Sequence, residues 1–494
     1  MQNKLLDIKK LQFLIVTFFI SPFLILFFNL FQPHAIGNFD FEELFWSLKN
    51  TTIQACYSAF LSMVTGFFLS LGLLEVANRK KINTVVDFLF LLPNFLPNLF
   101  IVIGLMNLID PFPMGILGIV LVHAFINFGF VGILIKNLIV EKLGRSGELA
   151  LVLGVTRLSF IFKIIFPQLK YDFLRIYLYV FTISFSSFAI PLLVGGGKGT
   201  NLEVLIYEKL RINFDWSSAL FIALFQSMIL FLLSIGTMKT TRFQSRESFN
   251  LKVISSRNFL LVFALLYVLF FVQYVYSTLD GVNYINDFFL YKREIIKGIF
   301  GTLALSVGTG SLVSIFLLLV AFVWEKNYFS KFMLGYIGPS SALTALAFFV
   351  LGYNFSFLTF AKILLALVLI YSSLAYRLGW DSLLHDLESE KEKAQIMGAD
   401  ERLIFQKIIL PRVIKRALFL GGMASFWAAG EFAISKILAS SDFSVAMIVE
   451  TFISQYRIGL ASVLTFLVLL LGTVVFFIFV GVGDVLSKKI KNSL

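Results

Sequence analysis

The chain carries the stretch ELALVLGVTRLSFIFKIIFP at residues 148–167 and a related stretch, EKAQIMGADERLIFQKIILP, at residues 392–411. Each stretch has a Glu, an Ala, a Gly and an Ile-Ile pair followed closely by a Pro, at the same spacing. Every matched residue is displaced by 244 positions, and the same displacement relates the Phe-Ala-Ile of residues 188–190 to that of residues 432–434. The chain is therefore a tandem duplication, with a first repeat over 1–245 and a second over 246–494.

The spacing within each stretch predicts a helix, a turn and a second short helix. Gly154 and Gly398 each follow an amphipathic segment and permit a turn with positive φ. A proline, Pro167 or Pro411, then marks the start of the next membrane segment. Two such loops, at about 137–171 and 378–416, would offer a two-fold-like surface to a symmetric partner. The alternative is that both loops are solvated connections and nothing more.

The composition surrounding these loops is that of a membrane protein. Of 494 residues, 59% are hydrophobic and 14% charged, with a mean hydropathy of +0.90. Soluble domains are roughly 45–50% apolar and about 25% charged, so this chain has too little polar surface to cover itself in water. We therefore predict an all-α polytopic membrane protein of about twelve spans in two homologous six-helix halves. The spans lie near 11–32, 52–74, 85–107, 114–135, 173–195, 216–237, 258–279, 297–323, 332–353, 355–376, 417–438 and 461–483.

The basic residues predict the orientation. With the N-terminus in the cytoplasm, 31 of the 41 Lys and Arg residues fall on the cytoplasmic side, 9 fall on the outer side, and Lys362 lies within a span. This is the bias expected of membrane proteins, so both termini are predicted to be cytoplasmic. The net charge of +12 follows from this topology and does not indicate nucleic-acid binding. The first span is longer than the apolar region of a signal peptide and is expected to be retained.

Several chemical functions are not supported by the sequence. The lone Cys56 excludes an intrachain disulfide and a cysteine metal cluster. His34, His123 and His385 are too scattered to predict a metal site. The glycine-rich segment 195–200 lacks the spacing of a phosphate-binding loop, so we expect no ATPase activity and no cofactor in this chain.

The repeated pattern, E-x-A-x3-G-x9-I-x-[LF]-P, resembles the coupling loop of binding-protein-dependent ABC importer permeases. Its presence twice in one chain is similar to the fused permeases for thiamine and for ferric iron. The resemblance implies a permease of the bacterial inner membrane that is not itself an enzyme. Its partners would be a periplasmic binding protein and a cytoplasmic ATPase homodimer, which binds ATP and Mg. The residues implied in ATPase coupling are Glu148, Ala150, Gly154, Ile164, Pro167, Glu392, Ala394, Gly398, Ile408, Leu410 and Pro411.

A second resemblance concerns the solute. The segment from Ser187 to Tyr207, with its Ser-Phe-Ala and Gly-Gly-Gly, looks like the corresponding stretch of bacterial thiamine permeases, as does His123-x3-Asn127. Thiamine is therefore the expected solute, with ferric iron or a polyamine as the alternative. A secondary transporter driven by an ion gradient is the rival from another class, and it would not need the paired basic loops.

Glu431 is the leading candidate for a residue on the transport pathway, because a charge inside a span is costly. Its equivalent in the first repeat is Ser187, and the neighbouring aromatic residues are Phe188, Trp427 and Phe432. A carboxylate beside aromatic rings suits an aromatic cation such as thiamine. The alternative is that Glu431 neutralises Lys436 or another basic residue and only fixes helix packing.

His123 and Asn127 lie four residues apart and so share one face of the fourth span. They are candidates for solute contact along the pathway. The competing interpretation is that they form hydrogen bonds between membrane helices.

Overall fold

The chain is helical in the computed structural model, which describes residues 2–30, 39–237, 254–283, 289–324, 329, 332–333, 340–351, 358–439 and 442–492. No strand occurs within those ranges, which confirms the all-α prediction. The first half of the sequence forms α1 (Gln2–Leu30), α2 (Phe41–Leu73), α3 (Lys80–Phe95), α4 (Asn98–Leu108), α5 (Ile116–Val152), α6 (Arg157–Phe160), α7 (Phe166–Phe185), α8 (Ala189–Val194), α9 (Leu202–Arg211) and α10 (Trp216–Thr237). The second half forms α11 (Arg257–Val282), α12 (Lys292–Val323), α13 (Ser341–Leu351), α14 (Thr359–Ala375), α15 (Asp381–Asp386), α16 (Glu388–Ile396), α17 (Glu401–Ile404), α18 (Leu410–Ala429), α19 (Ala433–Leu438), α20 (Val445–Ser454) and α21 (Ile458–Asn492).

The protein is a polytopic membrane protein. Within the described part of the chain, 8 helices are long and apolar enough to cross a bilayer, and they match eight of the twelve predicted spans. A ninth prediction, 85–107, corresponds to α3 and α4, which are bent by 98° at their junction. The predicted span 332–353 lies partly outside the described residues.

The bend between α3 and α4 is explained by proline. Pro97 disfavours helical backbone at the residue before it, and Leu96 is extended, with φ −70° and ψ 146°. The α3 helix therefore ends at Phe95, and α4 begins beyond Pro97 in a new direction.

The predicted spans 173–195 and 417–438 are each interrupted and do not form one continuous helix. In the first of these segments the chain leaves the helix after Phe185 and resumes at Ala189; in the second it leaves after Ala429 and resumes at Ala433. A continuous apolar run cannot reveal such a break, because local hydrogen bonds at the break compensate for the helical ones that are lost. Glu431 consequently lies between two helices and not within one.

The repeat is visible in the helix boundaries. Three consecutive helices of the first half, α6, α7 and α8, begin and end at positions displaced by 244 from α17, α18 and α19. A π-helical turn follows α6 at Ile161–Ile165, and another follows α17 at Phe405–Ile409. Equivalent sequence has therefore folded into equivalent local structure.

The helices form two compact units, which do not follow the predicted repeat boundary at 245/246. One unit contains Met1–Phe39, Ile206–Ser227 and Tyr284–Leu494, and the other contains Asp40–Leu205 and Met228–Asn283. In the former, α1 packs on α12, where Gln12 Nε2 donates to the Val323 carbonyl at 2.8 Å. In the latter, α11 packs on α4, where the rings of Phe100 and Tyr274 lie 4.0 Å apart. The opening helix of each repeat thus packs with helices of the other repeat.

Candidate functional site

The turn after α5 has a defined hydrogen-bonding pattern. The Val155 N–H donates to the Ala150 carbonyl at 2.9 Å, and the Gly154 N–H donates to the Leu151 carbonyl at 3.3 Å. Gly154 has φ +64°. This is a Schellman motif, in which a residue with left-handed backbone closes the end of a helix.

The turn after α16 repeats that pattern. The Ala399 N–H donates to the Ala394 carbonyl and the Gly398 N–H to the Gln395 carbonyl, each at 3.0 Å. Gly398 has φ +77°. A Cβ added at either glycine would meet nothing within 4 Å, so the backbone conformation and not crowding requires glycine here.

An exposed apolar pair precedes each glycine. Val152 and Leu153 are 85% and 76% exposed, and their repeat equivalents, Ile396 and Met397, are each 86% exposed. Apolar side chains this open, at matching places in two repeats, are typical of a surface that contacts another protein or the membrane. We call these four residues the turn-tip pairs. The sequence analysis missed them, although an apolar pair before both repeated glycines could have identified them.

Buried residues attach each loop to its own compact unit. Phe160 and Ile165 are fully buried in the core below the first loop. Ile404 and Ile409, at the equivalent positions, are 2% and 5% exposed in the core below the second. Each loop is therefore fixed to the close-packed core of its own unit.

The predicted coupling residues differ in their burial. The two carboxylates and both glycines are open to solvent, so they could meet a partner directly. Two of the predicted coupling residues are buried, namely Ala150 and Pro411. Four are half-buried, namely Ile164, Ala394, Ile408 and Leu410. The other five are exposed, namely Glu148, Gly154, Pro167, Glu392 and Gly398.

Glu431 is held in the break between α18 and α19. Its Oε1 accepts the Ile434 N–H at 2.9 Å, and its Oε2 accepts the Tyr371 hydroxyl at 3.4 Å. The Tyr371 ring lies 5.6 Å from the ring of Trp427. Tyr371 thus contacts both Glu431 and Trp427, and it lies 244 positions after Asn127.

Lys436 has a different partner from the one considered in the sequence analysis. Its Nζ lies 2.6 Å from Oε2 of Glu450, on α20. Ser454 donates to the other oxygen of Glu450 at 3.1 Å. Lys436 is therefore not the partner of Glu431, because its ammonium group is paired with Glu450.

The equivalent break in the first half is uncharged. Asn201 Nδ2 donates to the Ser187 carbonyl at 2.7 Å and so ties the break to the segment before α9. Phe188 and Phe432, the last residues of the two breaks, are 1% and 2% exposed. Both aromatic residues are packed within their units.

His123 and Asn127 do not bond to each other's side chains. The Asn127 amide nitrogen donates to the His123 carbonyl at 2.9 Å, which is a bond within α5. The His123 side chain is buried, and its Nε2 has no hydrogen-bond partner among the described residues.

These features define a class: a polytopic α-helical membrane protein with an internal repeat and two matched turns that each expose an apolar pair. Within that class, the chain is similar to the thiamine transport system permease protein ThiP of Escherichia coli, with 27% identity over 231 residues. It is 27% identical over 233 residues to ThiP of Salmonella typhimurium and over 236 residues to ThiP of Brucella abortus. Each match spans 43% of this chain and 43% of the relative, so less than half the length of these relatives is matched. No protein-family model and no solved structure matches the chain.

Proposed function

We propose that this protein is the permease subunit of an ATP-driven ABC importer. The observation that carries this proposal is the pair of identical Schellman turns, each with its exposed apolar pair, at positions 244 residues apart. Two equal surfaces suit a partner with two-fold symmetry, such as an ATPase homodimer. An ion-coupled secondary transporter has no need of such surfaces.

The turns would transmit ATP-driven movement to the membrane. In this proposal the turn-tip pairs dock into the ATPase subunits, where ATP and Mg are bound and hydrolysed. The buried residues Phe160 and Ile404 then carry the movement into the two compact units. A periplasmic binding protein would deliver the solute on the opposite side of the bacterial inner membrane, and both termini would lie in the cytoplasm.

The proposed solute is thiamine. The names of the relatives support it, and so does the chemistry around Glu431, whose carboxylate is grouped with Tyr371 and Trp427. An aromatic cation would gain both charge pairing and contact with an aromatic face from such a group. A ferric ion would instead favour several oxygen or nitrogen ligands.

Transport by the reconstituted system tests this function. The full chain is placed in proteoliposomes with its ATPase and binding protein, and uptake of labelled thiamine is measured with and without ATP. The proposal predicts ATP-dependent uptake that requires the binding protein. Uptake driven by an ion gradient alone would refute the ABC mechanism, and ATP-dependent uptake of a different solute would refute the thiamine assignment.

A further inference from the structure

A groove of about 800 Å³ lies between α2, α6 and α7, within a single compact unit. Two of its lining residues, Phe60 and Phe162, are 61% and 65% exposed, so the groove is open on one side. The lining is apolar except for Lys170 and Tyr177. It consists mainly of aromatic rings, those of Phe60, Phe67, Phe68, Phe162, Phe166 and Phe173. We call it the aromatic groove.

The aromatic groove extends from a membrane end to a loop end. At the membrane end, the Tyr177 hydroxyl donates to the Cys56 carbonyl at 3.4 Å, which joins α7 to α2 within their predicted spans. At the loop end, the rings of Phe67 and Phe166 lie 5.5 Å apart. Lys170, which also lines this end, belongs to the loop predicted to be cytoplasmic. The groove therefore passes from the membrane to its predicted cytoplasmic surface.

Two basic residues lie at the loop end. Lys170 lines the groove, and Arg157 is the neighbour in sequence of the lining residue Leu158. The Arg157 guanidinium lies 5.5 Å from the centre of the Phe259 ring, which is itself 5.1 Å from the ring of Phe68. The Nη2 atom of Arg157 is buried and has no hydrogen-bond partner in the described part of the chain.

Neither Lys170 nor Arg157 forms an ion pair with a carboxylate among the described residues. Nearby basic residues do, since Asp172 pairs with Lys142 at 2.7 Å and with Arg175 at 3.6 Å. Buried donors in native proteins are normally satisfied, because leaving one without an acceptor is costly. The loop end therefore offers two cations that an anionic ligand could satisfy.

These cations are not repeated in the second half of the chain. The helices α6 and α7 begin and end 244 positions before α17 and α18. At that displacement Arg157 corresponds to Glu401, and Lys170 corresponds to Ile414. The charge is therefore a property of the first half and not of the fold that the two halves share.

The aromatic lining is not repeated at the equivalent positions either. Phe173 and Tyr177 correspond to Ala417 and Gly421. There the Ser314 hydroxyl of α12 donates to the Ala417 carbonyl at 3.4 Å, and a Cβ added at Gly421 would overlap that hydroxyl. Small residues thus bring α12 and α18 into direct contact, whereas large rings leave a groove between α2 and α7.

We propose that the aromatic groove binds an anionic phospholipid of the cytoplasmic leaflet. An acyl chain would lie along the apolar lining, and the phosphate would accept hydrogen bonds from Lys170 and Arg157. A free phosphate would leave the apolar part empty, and a wholly apolar ligand would leave both cations without an anion. A phospholipid supplies both chemistries in one molecule. This inference does not depend on the proposed solute or on the ATPase.

Lipid binding by the purified full chain tests the proposal. The delipidated protein is titrated in detergent with phosphatidylglycerol, or with phosphatidylcholine of the same acyl chains, and bound lipid is counted by native mass spectrometry. Lys170→Gln removes the charge, and Lys407→Gln, at an exposed position in the other loop, is its matched control. Val64→Trp and Leu174→Trp each add bulk to the lining of the groove. Val275→Trp, at an exposed apolar position outside it, is their control.

We expect wild type to bind phosphatidylglycerol about tenfold more tightly than phosphatidylcholine, and Lys170→Gln to weaken binding of the former about fivefold without affecting the latter. The two Trp variants in the groove should weaken binding of both lipids, and the controls should change neither. Equal affinity of wild type for the two lipids would overturn the site in favour of ordinary contact with bulk lipid. Unchanged phosphatidylglycerol affinity in Lys170→Gln, or in both groove Trp variants, would also overturn it.

Discussion

The sequence identifies Glu431 as a charge within an apolar run, but it does not reveal which residues surround Glu431. Its partners, Ile434 and Tyr371, depend on the break in the helix and on a helix 60 residues away in the chain. Lys436 was the nearest basic residue in sequence, yet folding brings it to Glu450. Sequence distance is a poor guide to ion pairing wherever a chain turns back between short helices.

Removing the charge of Glu431 should impair transport more than folding. Glu431→Gln keeps an oxygen that can accept the Ile434 N–H, and its amide nitrogen can donate to the Tyr371 hydroxyl oxygen. We therefore expect near-normal protein in the membrane and thiamine uptake lowered about tenfold or more, as expected when a desolvated cation loses its counter-charge. Labelled uptake normalised to membrane protein measures this. Unchanged uptake would remove Glu431 from the pathway.

Disrupting the Lys436–Glu450 pair should instead impair folding more than transport. Glu450→Gln leaves a half-buried ammonium group without its carboxylate, at a cost of about 1–3 kcal/mol. We expect less permease in the membrane for Glu450→Gln and recovery in the double variant with Lys436→Gln, because the two changes are coupled. Quantitative immunoblotting of membranes provides the measurement. Recovery of Glu431→Gln by Lys436→Gln would instead contradict the pairing seen here.

At the scale of elements, the sequence predicted the turns well and the membrane helices in part. Gly154 and Gly398 were predicted to take positive φ, and both do, because a helix followed by a lone glycine is a strongly local signal. The breaks after Phe185 and Ala429 were missed, since apolar composition does not indicate where a helix is interrupted.

The conformation at Gly398 gives a second test at this scale. Gly398→Val places a β-branched residue at φ +77°, which costs about 1–2 kcal/mol locally, whereas Gly398→Asn is tolerated at such positions. We expect Val to uncouple ATP hydrolysis from uptake and Asn to preserve coupling. Both quantities are measured in proteoliposomes. Full coupling in the Val variant would show that the turn geometry is not needed.

For the whole molecule, the sequence repeat and the compact units are two different divisions of the chain. The repeat was predictable from matched residues, but the packing of α1 with α12 and of α11 with α4 was not. Apolar helices fit many neighbours equally well, so their hydropathy does not select among them.

Orientation in the membrane can be tested with single cysteines. Cys56 is replaced by Ser, and a cysteine is introduced at the exposed position of Lys198 or of Lys393. The distribution of basic residues predicts labelling of Lys198→Cys by an impermeant thiol reagent in intact spheroplasts, and of Lys393→Cys only after permeabilisation. The reverse pattern would place the turn-tip pairs outside the cell and remove the ATPase as their partner.

The central claim is that the turn-tip pairs dock a separate ATPase, and the most direct measurement is the amount of ATPase that co-purifies with the permease. Leu153→Asp combined with Met397→Asp puts charge on two residues that are 76% and 86% exposed, so the fold should be unaffected. Leu153→Met combined with Met397→Leu is the matched apolar control. The account predicts two ATPase subunits per permease for wild type and control, and few or none for the Asp variant. Equal amounts of co-purified ATPase for wild type, the apolar control and the Asp variant would contradict this claim.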